Sequence, residues 1–265
     1  MGVVIIFNHC ISDSGLGDTI RSLFSYFILS RKIGFKIYYD FSGQNLGHCF
    51  LANTDHKCTK DCKFFKDFSK GPIKTHEFIN FLTIVSKYPK ESHLFHVRSN
   101  HCFDVVPYKD LHKKENTEAF MKWLKLTPEL EARIKHFTPK GKEGTPLKYT
   151  ALHIRCGDKF MQNGPCVGDS RLNPMDKSIN LLVENLTTKE KIILFTDNDE
   201  LKNKYRKYCL DTKAIHIGQK AVPTSVIDTV SEFFLVGMAT RIVAPIRSGF
   251  SYWPSVLFGK RITSV

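Results

Sequence analysis

The sequence predicts an α/β protein with two Rossmann-like halves, each built on a mainly parallel sheet. Three observations carry this. Val3 to Asp40 spells a β-loop-α-β unit with Gly15 and Gly17 in its first turn. Short apolar runs alternate with segments of helical period through the second half, which is the pattern of a parallel sheet with crossover helices. Between the halves lies Pro139-Lys140-Gly141-Lys142-Glu143-Gly144-Thr145-Pro146, the strongest punctuation in the chain. Domains are therefore expected at 1–140 and 147–265.

Val3 to Phe7 reads as a first, buried strand. Thr19 to Lys32 reads as a helix, because Ile20, Leu23, Phe24, Phe27 and Ile28 recur at helical spacing. Asp18 is the expected N-cap and Gly34 the expected C-cap. Phe35 to Tyr39 is the second strand. Residues 43–75 lack clear periodicity and read as loops and short helices. Thr75 to Val85 is expected to be helical and Leu94 to Arg98 a strand. Glu115 to Trp123 and Pro128 to Phe137 are helices, the latter opening on Thr127-Pro128 with Glu129 and Glu131 in its first turn. In the second half, strands are expected at 149–154, 191–196, 214–217 and 241–244. Helices are expected at 199–208, 225–239 and 251–258.

The chain has 265 residues, and Lys plus Arg outnumber Asp plus Glu by 39 to 26, a net charge of +13. Such a balance calls for an anionic partner: nucleic acid, a membrane surface or a phosphorylated small molecule. No apolar run approaches membrane length, and Val3–Phe7 is too short for a signal-peptide core. The eight cysteines are scattered and read as free thiols of a reducing compartment. Cys58 and Cys62 with His56 lack a second ligand pair at zinc-finger spacing and read as a basic loop.

Three strand ends carry the chemistry. The first leads into His153-Ile154-Arg155-Cys156-Gly157-Asp158. The second ends at Asp197-Asn198-Asp199. The last leads into Arg247-Ser248-Gly249-Phe250-Ser251 and a helix. In a parallel sheet all three loops emerge at one edge, where such folds bind ligands. Arg155 offers a rigid fork of donors suited to phosphate, and Arg247 would clamp the other side of a diphosphate. Ser248 to Ser251 open a helix whose N–H groups favour an anion. Asp197-Asn198-Asp199 has the spacing of a metal-binding carboxylate pair, but it also stands where an Asp caps a helix, and no metal is expected.

These motifs resemble those of the fucosyltransferase-type glycosyltransferases, through Gly15-Leu16-Gly17-Asp18, His153-Ile154-Arg155-Cys156-Gly157-Asp158, Leu194-Phe195-Thr196-Asp197 and Ser248-Gly249-Phe250-Ser251. The likeness covers most of the second half and the first half up to Asp40. It implies a GT-B fold with two facing Rossmann-like domains, the first on the acceptor side and the second binding a nucleotide-sugar. It implies transfer of a sugar, fucose from GDP-fucose above others, to a hydroxyl of an oligosaccharide or glycoprotein acceptor, by an inverting, metal-independent reaction. Arg155 would grip the β-phosphate. His153, Gly157, Asp158, Asp197, Ser248, Gly249, Phe250 and Ser251 would line the donor site with Gly15 and Gly17. Members of this family carry an acidic residue on the helix ahead of the last motif, which falls here on Glu232 with Asp228 one turn earlier. Asp18 stands where the family tends to carry Asn.

An acceptor hydroxyl must lose a proton, and a carboxylate is the usual base. Asp13 and Asp18 in the first loop are the candidates. Trp123, Phe64, Phe65 and Tyr108 are candidates to stack on sugar rings or to fill the core. The phosphate machinery fits a UDP-linked pentose as well, which leaves a xylosyltransferase open. A basic nucleic-acid-binding protein is the alternative of another class. No nucleic-acid motif supports it, and the basic runs at 56–74 and 109–114 read as a solvated surface. The expected setting is cytoplasmic: a soluble enzyme of bacterial or viral type, or a trimmed catalytic domain.

Overall fold

The computed structural model describes residues 3–7, 15–53, 64–65, 80, 93–97, 106–141, 143–155, 191–214, 222–244 and 248–263. The chain divides into two compact units, Met1–Pro128 and Glu129–Val265.

In the first unit, strands β1 (Val3–Phe7), β2 (Lys36–Tyr39), β3 (Phe64–Phe65) and β4 (His93–Val97) form one sheet in the order β2-β1-β4-β3. Every pairing is parallel, with Ile5 opposite Ile37 on one side and Phe95 on the other. Helix α1 (Leu16–Ile33) links β1 to β2, as its apolar period requires. Gly34 ends it in the left-handed region at φ 88°, donating its N–H to the Ser30 carbonyl at 2.8 Å. The expected cap at Asp18 is corrected: Gly15 is the N-cap and Asp18 lies inside the first turn. There its carboxylate pairs with Arg21 at 2.9 Å, one turn on, and also favours the positive helix end.

Helices α2 (Tyr108–Leu111) and α3 (Lys114–Trp123) follow. Phe24, Phe27, Phe120 and Trp123 join in one aromatic cluster, with Phe24 and Phe120 centroids 4.8 Å apart. Trp123, half-buried, also meets Tyr39 at 5.0 Å, so its ring is engaged in this cluster. Tyr108 is exposed and packs on His112 at 4.2 Å. Asp110 is buried and pairs with Lys32 at the end of α1 and with Lys113, tying α2 to α1. Along the outer edge of β2, Asn53 takes both backbone groups of Tyr39. Its side-chain oxygen accepts the Tyr39 N–H at 2.8 Å, and its N–H donates to the Tyr39 carbonyl at 3.3 Å.

The second unit begins with nearly all of α4 (Pro128–Phe137). The sequence boundary at 139–146 lies beyond this helix. Phe137 packs with Tyr149, Ala151 and Phe195, and Arg133 reaches Asp228, so α4 belongs with the residues that follow it. Strands β5 (Thr150–Ile154), β6 (Ile192–Thr196), β7 (Arg241–Val243) and β8 (Ile262–Thr263) form the sheet β6-β5-β7-β8, again parallel throughout. Both faces of β5 are covered. Ala151 faces a cluster with Leu235, Val236 and Ile242, whereas Leu152 and Ile154 face Ile192, Leu194 and Val243. That is why β5 reads as a continuous apolar run and not an alternating one.

Helix α5 (Asp199–Lys204) stops earlier than its period suggested and passes into a 3-10 turn, Arg206–Tyr208. Its N-cap is Asn198, whose side chain accepts the Leu201 N–H at 2.9 Å, and neither flanking Asp fills that place. Helix α6 (Pro223–Met238) opens with proline in its first turn, where no N–H is needed. Helix α7 (Gly249–Leu257) packs across it at Gly237. A Cβ there would lie 2.2 Å from Phe258, so only glycine permits this approach. The sequence did not predict β8. The strand expected at 214–217 and the helix expected at 75–85 fall almost wholly outside the described residues, as do Cys58 and Cys62.

Candidate donor-binding site

The order β6-β5-β7-β8 has a topological switch point between β5 and β7. From β5 the chain adds β6 on one side, then returns to add β7 and β8 on the other. Crossover connections on opposite sides leave a crevice at the carboxyl ends of those two central strands. His153, Ile154 and Arg155 lie at the end of β5. Ser248 and the first turn of α7 follow β7.

The two flanks meet through rings. The His153 imidazole stacks on Phe250 with centroids 5.4 Å apart, and Phe250 packs edge-on against Phe233 at 5.6 Å. His153 is only 5% exposed, and its Nδ1 has no hydrogen-bond partner among the described residues. Ser248 Oγ is likewise buried, and its capping-box partner is Ser251 in the same helical turn. Buried polar atoms ordinarily find partners, because leaving one unsatisfied costs about 1–3 kcal/mol. The His153 nitrogen is such an atom at the edge of this crevice, and it points to a ligand that completes it.

The first turn of α7 supplies the rest. The Ser251 hydroxyl accepts the Ser248 N–H at 3.4 Å, and Tyr252 N–H closes the helix on the Ser248 carbonyl at 2.8 Å. The N–H groups of Gly249 and Phe250 precede the first possible intrahelical bond, so this end favours an anion. Burial pushes the His153 imidazole down to about 4, opposed by Asp197 and reinforced by Arg155. His153 is therefore neutral near pH 7. Its electrostatic coupling to both groups places Arg155, at the end of β5, and Asp197, at the end of β6, in one polar edge.

The structure thus brings together His153, Arg155, Asp197, Ser248, Gly249, Phe250 and Ser251. Two predicted residues are engaged elsewhere. Asp228 is fully buried and takes Arg133 in two contacts, at 2.5 and 3.0 Å, and the Lys213 N–H at 2.6 Å. Glu232 accepts a hydrogen bond from the Thr212 hydroxyl. Gly15, Gly17 and Asp18 lie in the first unit, at the start of α1; a Cβ at Gly15 would meet nothing within 4 Å. Asp13, Gly157, Asp158 and Arg247 lie outside the described residues. Sequence reasoning missed Arg133, Thr212 and Lys202 as partners of the two buried acids. The available signal was an Asp and a Glu one turn apart on an otherwise apolar helix.

No protein-family model matches the chain, and no curated protein matches it in sequence. Solved structures do match. The fucosyltransferase NodZ from Bradyrhizobium is 13% identical with a TM-score of 0.54, the match covering 96% of this chain and 93% of that one. A mutant of Arabidopsis thaliana FUT1 in complex with GDP is 13% identical with a TM-score of 0.54, over 98% of this chain and 69% of that one. POFUT1 in complex with GDP-fucose is 10% identical with a TM-score of 0.54, over 99% of this chain and 97% of that one. The fold is that of these proteins. It is α/β of the GT-B class, with two Rossmann-like units and mainly parallel sheets. Among the described residues, no helix is long and apolar enough to cross a membrane.

Proposed function

We propose that the protein is a glycosyltransferase that moves fucose from GDP-fucose to a hydroxyl of a glycan or glycoprotein. One observation carries the reading. His153, buried at the end of β5 beside Arg155, has an Nδ1 without a hydrogen-bond partner among the described residues and stacks on Phe250 in the first turn of α7, in a fold shared with structures described as holding GDP or GDP-fucose. The donor diphosphate would sit at the first turn of α7, within reach of Ser248. Arg155 would stabilise the charge that develops on the β-phosphate oxygen. In the inverting reaction the acceptor oxygen forms a bond to the anomeric carbon as the bond to phosphate breaks. The electron pair leaves on GDP, and the hydroxyl proton passes to a carboxylate. Asp13 and Asp18 are the candidates for that base, and Gly15 and Gly17 for the loop that carries them. Gly157, Asp158 and Arg247 complete the proposed donor loop. Cationic side chains and N–H donors take the role a metal would otherwise fill, so no metal is invoked.

The test is thermal-shift binding with GDP, UDP, GDP-fucose and UDP-xylose, followed by transfer assays. GDP and GDP-fucose should stabilise the protein. A response to UDP-xylose alone would move the assignment to a pentosyltransferase, and salt-sensitive oligonucleotide binding without any nucleotide-sugar response would replace the enzyme reading. Arg155→Ala should abolish transfer without unfolding the protein.

A further inference from the structure

Asp228 and Glu232 have work in this fold that the donor site does not use. Both act on the stretch Cys209–Ala214. Cys209 makes a parallel bridge to Leu194, in the middle of β6. The stretch therefore takes the next place in the sheet beyond β6 and runs parallel to it, and Thr212 to Ala214 come level with the carboxyl end of β6 at Asp197 and beyond it. Three side chains hold it there. Thr212 donates its hydroxyl to Glu232, the Lys213 N–H donates to Asp228 at 2.6 Å, and the Lys202 ammonium donates to the Ala214 carbonyl at 2.8 Å. Arg133 of α4 in turn fixes Asp228.

We propose that Asp228 and Glu232 are positioning residues that fix this strap, and that the proton on Glu232 sets how firmly the Asp197 edge of the crevice is held. The proposal rests on the donor-site reading above. Glu232 is 6% exposed, and burial pushes its carboxyl up to about 7, opposed by Lys202 and by the Thr212 hydroxyl and reinforced by Asp228. Its charged and titratable neighbours are Lys202 of α5, Asp228 of α6 and the Cys209 thiol, itself pushed up to about 11 by burial and then by Glu232. Arg133 is committed to Asp228. When Glu232 is neutral, Lys202 is left to the Ala214 carbonyl. When Glu232 ionises, the new carboxylate competes for the same ammonium, and the Ala214 end of the strap loosens while Thr212 and Lys213 stay held.

The test combines hydrogen–deuterium exchange with nucleotide binding on the full chain, wild type and Glu232→Gln, from pH 6 to pH 8.5. Protection factors are corrected for intrinsic exchange. Protection of residues 212–214 should fall with rising pH in wild type, and the dissociation constant for GDP should rise about 5-fold or more with it. Both responses should be flat in Glu232→Gln. A pH-independent strap in wild type, or an equal response in Glu232→Gln, overturns the proposal. A strap that responds while GDP affinity does not follow overturns the coupling. If GDP binds at no pH, the donor-site reading itself has failed and the proposal falls with it.

Discussion

The two units share one architecture and treat charge in opposite ways. The first buries aromatic mass: Phe7, Phe24, Tyr26, Tyr39, Phe41 and Phe120 are all at most 1% exposed. Its one buried acid among the described residues, Asp110, sits against two surface lysines. The second unit buries His153, Asp228 and Glu232 on or beside its central strands. Burying an ionisable group is costly unless it is paired or neutralised. Each of the three shows one solution. Asp228 is paired, Glu232 is driven towards its neutral acid, and His153 is held neutral with a nitrogen unpartnered. Only the last leaves a polar atom for something else to satisfy, and it stands at the switch point.

The contrast breaks most visibly at Arg133. Arg133→Ala leaves Asp228 buried without its cation, and urea unfolding should show a loss of about 3–5 kcal/mol. The comparable surface change in the first unit, Arg21→Ala opposite Asp18, should cost less than about 1 kcal/mol.

Next in size is pH. The fold raises Glu232 from 4.5 to about 7, so its contribution is complete below pH 4.5 and is lost as pH rises through 7. The fold lowers His153 from 6.5 to about 4, so its contribution is complete above pH 6.5 and is lost as pH falls through 4. Between these limits the two slopes oppose each other and nearly cancel. Glu232→Gln should unmask the histidine: relative to wild type, the variant should gain about 3 kcal/mol between pH 4 and pH 8. Urea midpoints at a series of pH values measure it, and an unchanged pH profile would show that Glu232 is not held neutral.

A smaller effect sharpens the packing of the second unit. Gly237→Ala pushes a methyl into Phe258 and should cost about 1–3 kcal/mol despite alanine's better helix propensity. Thermal unfolding should show a lowered midpoint.

Elements whose signal is local were legible in the sequence. The helix Pro128–Phe137 appears with the expected bounds because Thr127-Pro128 marks its start, and Gly34 ends α1 because its left-handed φ suits glycine. The strand ends that carry His153, Asp197 and Ser248 were legible too, because each closes or follows a short apolar run in a strand–helix alternation. What sequence did not reveal depends on distant partners. Arg133 lies 95 residues from Asp228, and Thr212 lies 20 from Glu232, so no local pattern joins them. The place of α4 has the same origin: the punctuation at 139–146 marks a turn, whereas membership of α4 is decided by what Phe137 and Arg133 touch. The N-cap expectation failed because Asp18 competes for two places, and the ion pair with Arg21 favours the inner one.

Asn53 offers a last consequence. A strand at the margin of a sheet presents open backbone groups that can recruit another chain. On β2 those of Tyr39 are already taken by Asn53, which imitates a neighbouring strand with one amide and one backbone N–H. A single asparagine thus guards the molecule against growing into a continuous sheet with its own copies, and Asn53→Ala should raise light scattering on mild heating before it changes anything at the crevice.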